Sequence, residues 1–285
     1  MSRLLASLDA PPSGRARPVW FDATAYGQAR LLGGGDVPWD SPAELSSFFA
    51  KIGGMFRSDA ILGDVADIFA QRAAADQQLR AAMASRSRPG YALRTLLGDE
   101  QARGPAVEAV RVLAATSGTV PLVLTVPAPG LWMVAAAQQA GSDPGPPDAG
   151  RAETAAIYSA DLLRLFAGAG VDGLLLDEGQ VPAGELIHPE AYRPVLNVAD
   201  HYEWPVLIQA EAAAAWPRGP VAGVAVWLGS DPPTAPCEPA GRWGIVASPD
   251  FWDSVDPPAE AGLVLTAVPA GADPEAVMKR VRELN

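Results

Sequence analysis

Carboxylates at the ends of short apolar runs are the residues of this chain best placed to do chemistry. Val19-Trp-Phe-Asp22, Ile61-Leu-Gly-Asp64 and Gly173-Leu-Leu-Leu-Asp177-Glu178 each close a hydrophobic run with an acid, and Val206-Leu-Ile-Gln209-Ala-Glu211 closes one with an amide and then an acid. Two adjacent acids after three leucines are costly without partners, because burial penalises the charged form. Carboxylates gathered in one site push each other's pKa values up, and a carboxyl raised toward neutrality is a general acid or base. Asp64, Asp177 and Glu178 are therefore the candidate catalytic groups. Asp22, Gln209, Glu211, Trp227 and Thr266, which stand at or beside strand ends, and Tyr26, in the loop after the first strand, are the candidate substrate contacts. Each acid also has a plainer use, since a carboxylate after a strand often caps the next helix, and Asp64 or Asp67 stands where it would cap one.

The elements that must position these groups read as eight apolar runs bounded by turn residues: Pro18 to Asp22, Ala60 to Asp64, Leu122 to Val126, Gly173 to Asp177, Pro205 to Gln209, Gly223 to Leu228, Trp243 to Ala247 and Gly262 to Thr266. Continuous Val, Ile and Leu runs are what a parallel sheet covered on both faces requires. Helical patterns separate them. Ser41-Pro-Ala-Glu44 opens a helix that ends near Gly53-Gly54, and Ala66 to Ser85, Pro105 to Thr116, Arg151 to Ala169, Pro189 to Tyr202 and Pro274 to Leu284 read as further helices. Alternation of this kind gives right-handed βαβ units, and eight of them close into a (β/α)8 barrel whose active site lies at the C-terminal ends of the strands. An open doubly wound sheet would carry a Gly-rich phosphate turn after its first strand. Here that strand is followed by Ala-Thr-Ala-Tyr-Gly, and Gly33-Gly34-Gly35 comes later as the hinge on which a loop bearing Tyr26 and Gln28 closes over a ligand. The connections among strands five, six and seven are too short for full crossover helices, so the barrel is expected to be trimmed in its second half.

Composition limits the rest. A chain of 285 residues with 49% hydrophobic residues can bury one large core. Residues 17–285 read as a single barrel domain and 1–16, with Pro11-Pro-Ser-Gly14, as a flexible leader. The longest apolar stretches fall far short of the roughly 20 residues that span a bilayer, so no membrane association and a cytoplasmic location are expected. A net charge of -12 with scattered basic residues argues against nucleic-acid binding. The single cysteine, Cys237, excludes an intrachain disulfide, and no metal or cofactor is expected. His188 and His201 bracket one helix and read as surface or capping residues. The partner is a small-molecule substrate, with a homodimer left open as the assembly.

Several segments, in order along the chain, resemble the uroporphyrinogen decarboxylase family. Arg17-Pro-Val-Trp-Phe resembles its first strand, Ser58-Asp-Ala-Ile-Leu-Gly-Asp64 its second, and Val107-Glu-Ala-Val-Arg with Val120-Pro-Leu-Val its third helix and strand. Ile187-His-Pro-Glu-Ala-Tyr-Arg-Pro, Trp204-Pro-Val-Leu-Ile and Pro269-Ala-Gly-Ala-Asp-Pro-Glu-Ala-Val resemble later segments. The resemblance implies a barrel of that superfamily and a lyase or decarboxylase type of reaction. It also shows where the catalytic set is replaced. The family's Asp has its counterpart in Asp64, Arg30 can supply one of two motif arginines, Thr266 stands where the family has His, and the family's Tyr falls near Ala135. Because the family's substrate is a polycarboxylate, a mouth lined by Asp22, Asp64, Asp177, Glu178 and Glu211 repels it by about 1 kcal/mol per close exposed pair. The superfamily's methyltransferases hold zinc through a His-x-Cys pair, and here that place reads Gln209-Ala-Glu211, a poor zinc-binding set. Two readings stay open: a divergent decarboxylase-like enzyme on a small non-porphyrin substrate, and an inactive relative, or one linked to corrinoid or folate methyl transfer. Of Trp20, Trp132, Trp227, Trp243 and Trp252, only Trp227 stands near a strand end.

Overall fold

The computed structural model describes residues 2–146, 148–179, 188–211, 216, 221–233 and 242–284. Eight parallel strands, β1 (Val19–Asp22), β2 (Ile61–Asp64), β3 (Leu122–Pro127), β4 (Gly173–Asp177), β5 (Val206–Gln209), β6 (Val224–Gly229), β7 (Arg242–Val246) and β8 (Val264–Ala267), form a sheet in the order β1-β8-β7-β6-β5-β4-β3-β2. Helices pack outside them, so the chain is a (β/α)8 barrel.

Strand parity sorts the core into two layers. Val19, Phe21, Leu124, Val126, Leu174, Leu176, Val206, Ile208, Trp227, Ile245 and Val264 face the helices and belong to the outer cluster. Trp20, Val123, Leu175, Leu207, Val226, Leu228 and Leu265 alternate with them and fill the barrel interior. Both faces are apolar, which is why the strands read as continuous hydrophobic runs in the sequence.

The barrel closes without a ladder between β1 and β2. Asp59 and Ser58 span the gap: Val19 N–H donates to Asp59 Oδ2 at 2.9 Å, Asp59 N–H donates to the Val19 carbonyl at 3.0 Å, and Phe21 N–H donates to Ser58 Oγ at 3.0 Å. Arg15 meets the same carboxylate at 3.3 Å, with side chains 3% and 0% exposed. This buried pair is satisfied on several sides, since Asp59 Oδ1 accepts from Ser13 N–H and Arg15 donates to the Phe56 and Arg57 carbonyls.

The N-terminal segment, expected to be a flexible leader, is instead a structural part of the barrel. Helix α1 (Arg3–Asp9) buries Leu4 and Leu8, and both join the barrel-interior cluster. Leu4 and Leu8 share a helix face at i, i+4 spacing, an apolar stripe hidden beside the Pro11–Gly14 turn. A Cβ on Gly173 would lie 2.2 Å from Leu4 Cδ2, so the glycine that opens β4 makes the room this plug occupies. Arg3 anchors it through Asp172 at 2.7 Å and the Val120 carbonyl at 2.8 Å.

Other boundaries differ in detail. The loop expected after β1 is a helix, α2 (Thr24–Leu31), followed by α3 (Pro42–Phe56). The long helix expected from Ala66 to Ser85 breaks into α4 (Val65–Ala75) and α5 (Gln77–Ala84), because Asp76 leaves helical geometry and its carboxylate caps Gln78 and Leu79 N–H. The chain continues through α6 (Tyr91–Leu97), α7 (Glu100–Ser117), α8 (Pro129–Gln139) and α9 (Ala149–Leu163). A 3-10 turn, Pro189–Tyr192, leads into α10 (Arg193–His201), and α11 (Pro274–Glu283) closes the described chain. Among the described residues no α-helix lies between β5 and β8, which accords with the trimmed second half. Cys237 lies outside the described residues. No described helix is long and apolar enough to cross a membrane.

Candidate active site

Period-two alternation decides which strand-end residues look into the barrel. Trp20, Leu62, Val123, Leu175, Leu207 and Leu265 face inward, so Asp22, Asp64, Thr125, Asp177, Gln209 and Ala267, each two residues further on, face inward too. The sheet register places Asp64 beside Thr125, Asp177 beside Gln209 and Asp22 beside Ala267. Together they surround a cavity of about 320 Å3 at the C-terminal mouth, completed by Thr24, Ala25 and Gln28 of α2, Asp67 of α4 and Val246 of β7. Its floor is Leu62, Leu175 and Leu265, one inward layer down.

Each strand-end aspartate is held by one oxygen through a local backbone donor. Asp22 Oδ1 accepts from Thr24 N–H at 3.2 Å, Asp64 Oδ1 from Asp67 N–H at 3.1 Å, and Asp177 Oδ1 from Gly179 N–H at 2.9 Å. The capping use is real for Asp64, which caps α4, while the bonds at Asp22 and Asp177 are local turns. Each employs one oxygen and leaves the carboxylate fixed at the cavity wall.

Asp64 is solvent-exposed at the cavity, but protein crowds around its carboxylate and partly buries it from bulk water. That burial pushes its pKa up to about 6; the charges of Asp67 and Asp22 add to the rise, and the N–H groups of Asp67 and Ala66 oppose it. Burial also raises Asp177, against the Gly179 hydrogen bond. Asp67 is itself pinned, accepting from Trp39 Nε1 at 2.7 Å and Gln71 Nε2 at 2.9 Å. Thr125 Oγ1 is buried with no hydrogen-bond partner in the wall beside Asp64.

Of the residues singled out in the sequence, Asp22, Asp64, Asp177 and Gln209 line the cavity and the other six do not. Glu178 follows Asp177 and so takes the opposite parity. It is buried, and its Oε1 accepts from Tyr192 Oη at 2.5 Å. Burial carries its pKa up to about 7, with the Tyr192 hydrogen bond and His188 acting against the rise and Asp177 adding to it. Tyr192 is raised in turn by burial and by the charge of Glu178. Trp227 faces outward onto Trp216, ring centroids 6.0 Å apart, because β6 continues two residues beyond it. Thr266 is fully buried on the outer side of β8, which ends at Ala267 and not at Thr266.

Tyr26 turns its ring edge onto Phe56 in the outer core, and Arg30 stacks over Tyr26 while donating to the Ala272 carbonyl at 2.8 Å. Both face away from the mouth because the segment is helical, so positions 24, 25 and 28 share the cavity side and 26 and 30 do not. Glu211 is exposed; its N–H and carbonyl bond to Gly179 and Ser230. Gly33 and Gly34 adopt left-handed φ values of 62° and 86°, and the turn is tied down by Gly34 N–H on the Gln28 carbonyl at 2.8 Å. Reading strand ends alone missed Thr24 and the apolar floor, although the floor follows from stepping back two residues from each acid.

No family model matches the chain, and no curated protein matches it. Among solved structures it is similar to the apo form of the homocysteine methyltransferase MmuM from Escherichia coli, with 11% identity and a TM-score of 0.45 over 98% of this chain and 99% of that one. The barrel assignment rests on the strand order and register given above. Among the described residues no three His, Cys, Asp or Glu side chains are grouped so as to hold a metal ion.

Proposed function

We propose that this barrel is an enzyme that transfers protons through carboxylates at the mouth cavity, acting on a small non-porphyrin substrate. One observation carries the reading: Asp64 lines the cavity with its pKa pushed up to about 6, so near neutral pH it exchanges a proton readily. A helix-capping carboxylate in a concave site at the C-terminal ends of barrel strands fits the general pattern of barrel active sites.

In this reading Asp64 is the general acid or base. Asp177 is the second carboxylate, and Asp22, Gln209 and Thr125 contact the substrate. Glu178, held outside the cavity by Tyr192, takes no direct part, and the charge of Asp177 adds to the rise in its pKa. A polycarboxylate substrate is disfavoured, since among the described residues no Lys, Arg or His lines the cavity to offset Asp22, Asp64, Asp67 and Asp177. The lyase or decarboxylase type of reaction is supported by the sequence segments alone, because a fold hosts many chemistries.

The test is turnover. Wild-type protein and D64N are incubated with a panel of small amines, amino acids and hydroxy acids, and products are followed by mass spectrometry. Asparagine caps a helix as well as aspartate does, so the variant keeps its fold. The proposal expects turnover of at least one panel member, reduced by about 10²- to 10⁴-fold in D64N. Turnover that D64N leaves intact, or none across the panel, contradicts it.

A further inference from the structure

We infer that the ligand of the mouth cavity is a small organic cation, an ammonium or guanidinium group carried on a short apolar chain. The inference rests on the cavity being the functional site proposed above and names the class of molecule that fills it.

Three features of the cavity point the same way. The first is charge without compensation. Asp22, Asp64, Asp67 and Asp177 line it, and none of them forms an ion pair with a described residue. Arg30, the one cation on α2, is held away from the mouth by the Tyr26 ring and the Ala272 carbonyl. Like charges gathered in a concave, partly desolvated site repel one another, and a cation seated among them relieves that repulsion.

The second feature is the layering. The carboxylates form the rim, while Leu62, Leu175 and Leu265 form an apolar floor one layer deeper, with Val246 in the wall. A bare or hydrated inorganic ion has no use for that floor, whereas an alkyl chain does. The third is Thr125 Oγ1, a buried oxygen without a partner in the wall beside Asp64. It is an acceptor that an N–H of the ligand satisfies, and a buried polar atom left unpaired is unfavourable. The chain's net charge of -12 adds a long-range field that draws cations toward the protein.

The experiment compares n-pentylammonium, 1-pentanol, pentanoate and magnesium chloride, each titrated to millimolar concentration at low ionic strength and read by thermal unfolding of wild type and D177N. The amide oxygen of the D177N side chain can still accept from Gly179 N–H, so the turn survives the substitution. The expected result is that pentylammonium raises Tm and binds about tenfold more tightly than pentanol, that pentanoate and magnesium leave Tm unchanged, and that D177N weakens pentylammonium by about tenfold while sparing pentanol. The inference is overturned if pentanol or pentanoate binds as well as pentylammonium, if magnesium reproduces the shift, if D177N has no effect, or if none of the probes raises Tm. Binding of the cation without any panel turnover would remove the proton-transfer proposal and leave this inference standing. Turnover of an anionic substrate lost in D64N would do the reverse.

Discussion

The backbone N–H of Asp67 donates to Asp64 Oδ1 at 3.1 Å, so the carboxylate that lines the cavity is also the cap of the helix that follows it. One oxygen holds the first turn of α4 and fixes the side chain's direction. The neighbouring Asp67 charge, pinned by Trp39, adds to the rise that burial produces in Asp64.

That rise has a consequence for stability. The folded pKa of Asp64 lies above its unfolded value, so between about pH 4 and pH 6 the folded state binds the extra proton and stability falls as pH rises. The penalty is absent below about pH 4 and complete above about pH 6. D64N keeps the cap and removes the penalty, and is expected to be more stable than wild type by roughly 1 kcal/mol at pH 7.5, after allowance for screening at the open mouth, and equal to it at pH 4. Urea unfolding at the two pH values checks this; a wild type that is the more stable protein at pH 7.5 contradicts it.

Tyr192 and Glu178 form a buried hydrogen bond with the opposite dependence on the partner's state. The Tyr192 hydroxyl favours the ionised glutamate, so Y192F leaves a buried carboxyl without its donor and raises its pKa further. A loss of about 1–3 kcal/mol is expected at pH 8.5, and a smaller one at pH 5.5 where Glu178 is protonated in both proteins. Equal losses at both pH values would show that the hydroxyl does not act through the ionised form of Glu178.

The barrel seam depends on one carboxylate. Asp59→Ala leaves Arg15 buried without its counter-charge and takes the acceptor from Val19 and Ser13 N–H, so a loss of about 3–5 kcal/mol is expected. Amide hydrogen exchange at Val19 and Phe21 should accelerate more than at Leu124 in β3. Uniform acceleration across both strands would mean that the seam does not open locally.

Leu4→Ala empties part of the barrel floor and should cost about 2–5 kcal/mol. A change below about 0.5 kcal/mol, the usual effect of an exposed site, would return residues 1–16 to the role of a leader.

The barrel was legible because doubly buried strands leave continuous apolar runs, and all eight recur in the structure within a few residues. Asp22, Asp64, Asp177 and Gln209 were legible for a related reason, each being the last residue of its strand. The remaining strand-end residues failed on parity. β8 ends one residue later than its apolar run suggests, which turns Thr266 outward, and β6 runs on past Trp227. Glu178 stands one residue beyond a strand end and so points the other way. Tyr26 and Arg30 failed because an Ala-Tyr-Gly segment that looks like a loop is held as a helix by packing, with Gly27 admitting Phe48 and Ile52 where a Cβ would clash at 2.7–2.8 Å. The plug formed by α1 was hidden because its two leucines are too few to stand out until the barrel floor that receives them exists.

The central claim is that Asp64 carries an exchangeable proton near neutral pH at the cavity. Carboxyl ¹³C NMR, with the Asp64 resonance assigned by its disappearance in D64N, measures this directly. The account predicts a titration midpoint near pH 6; a midpoint at or below pH 4, the ordinary value for an exposed capping aspartate, would contradict it.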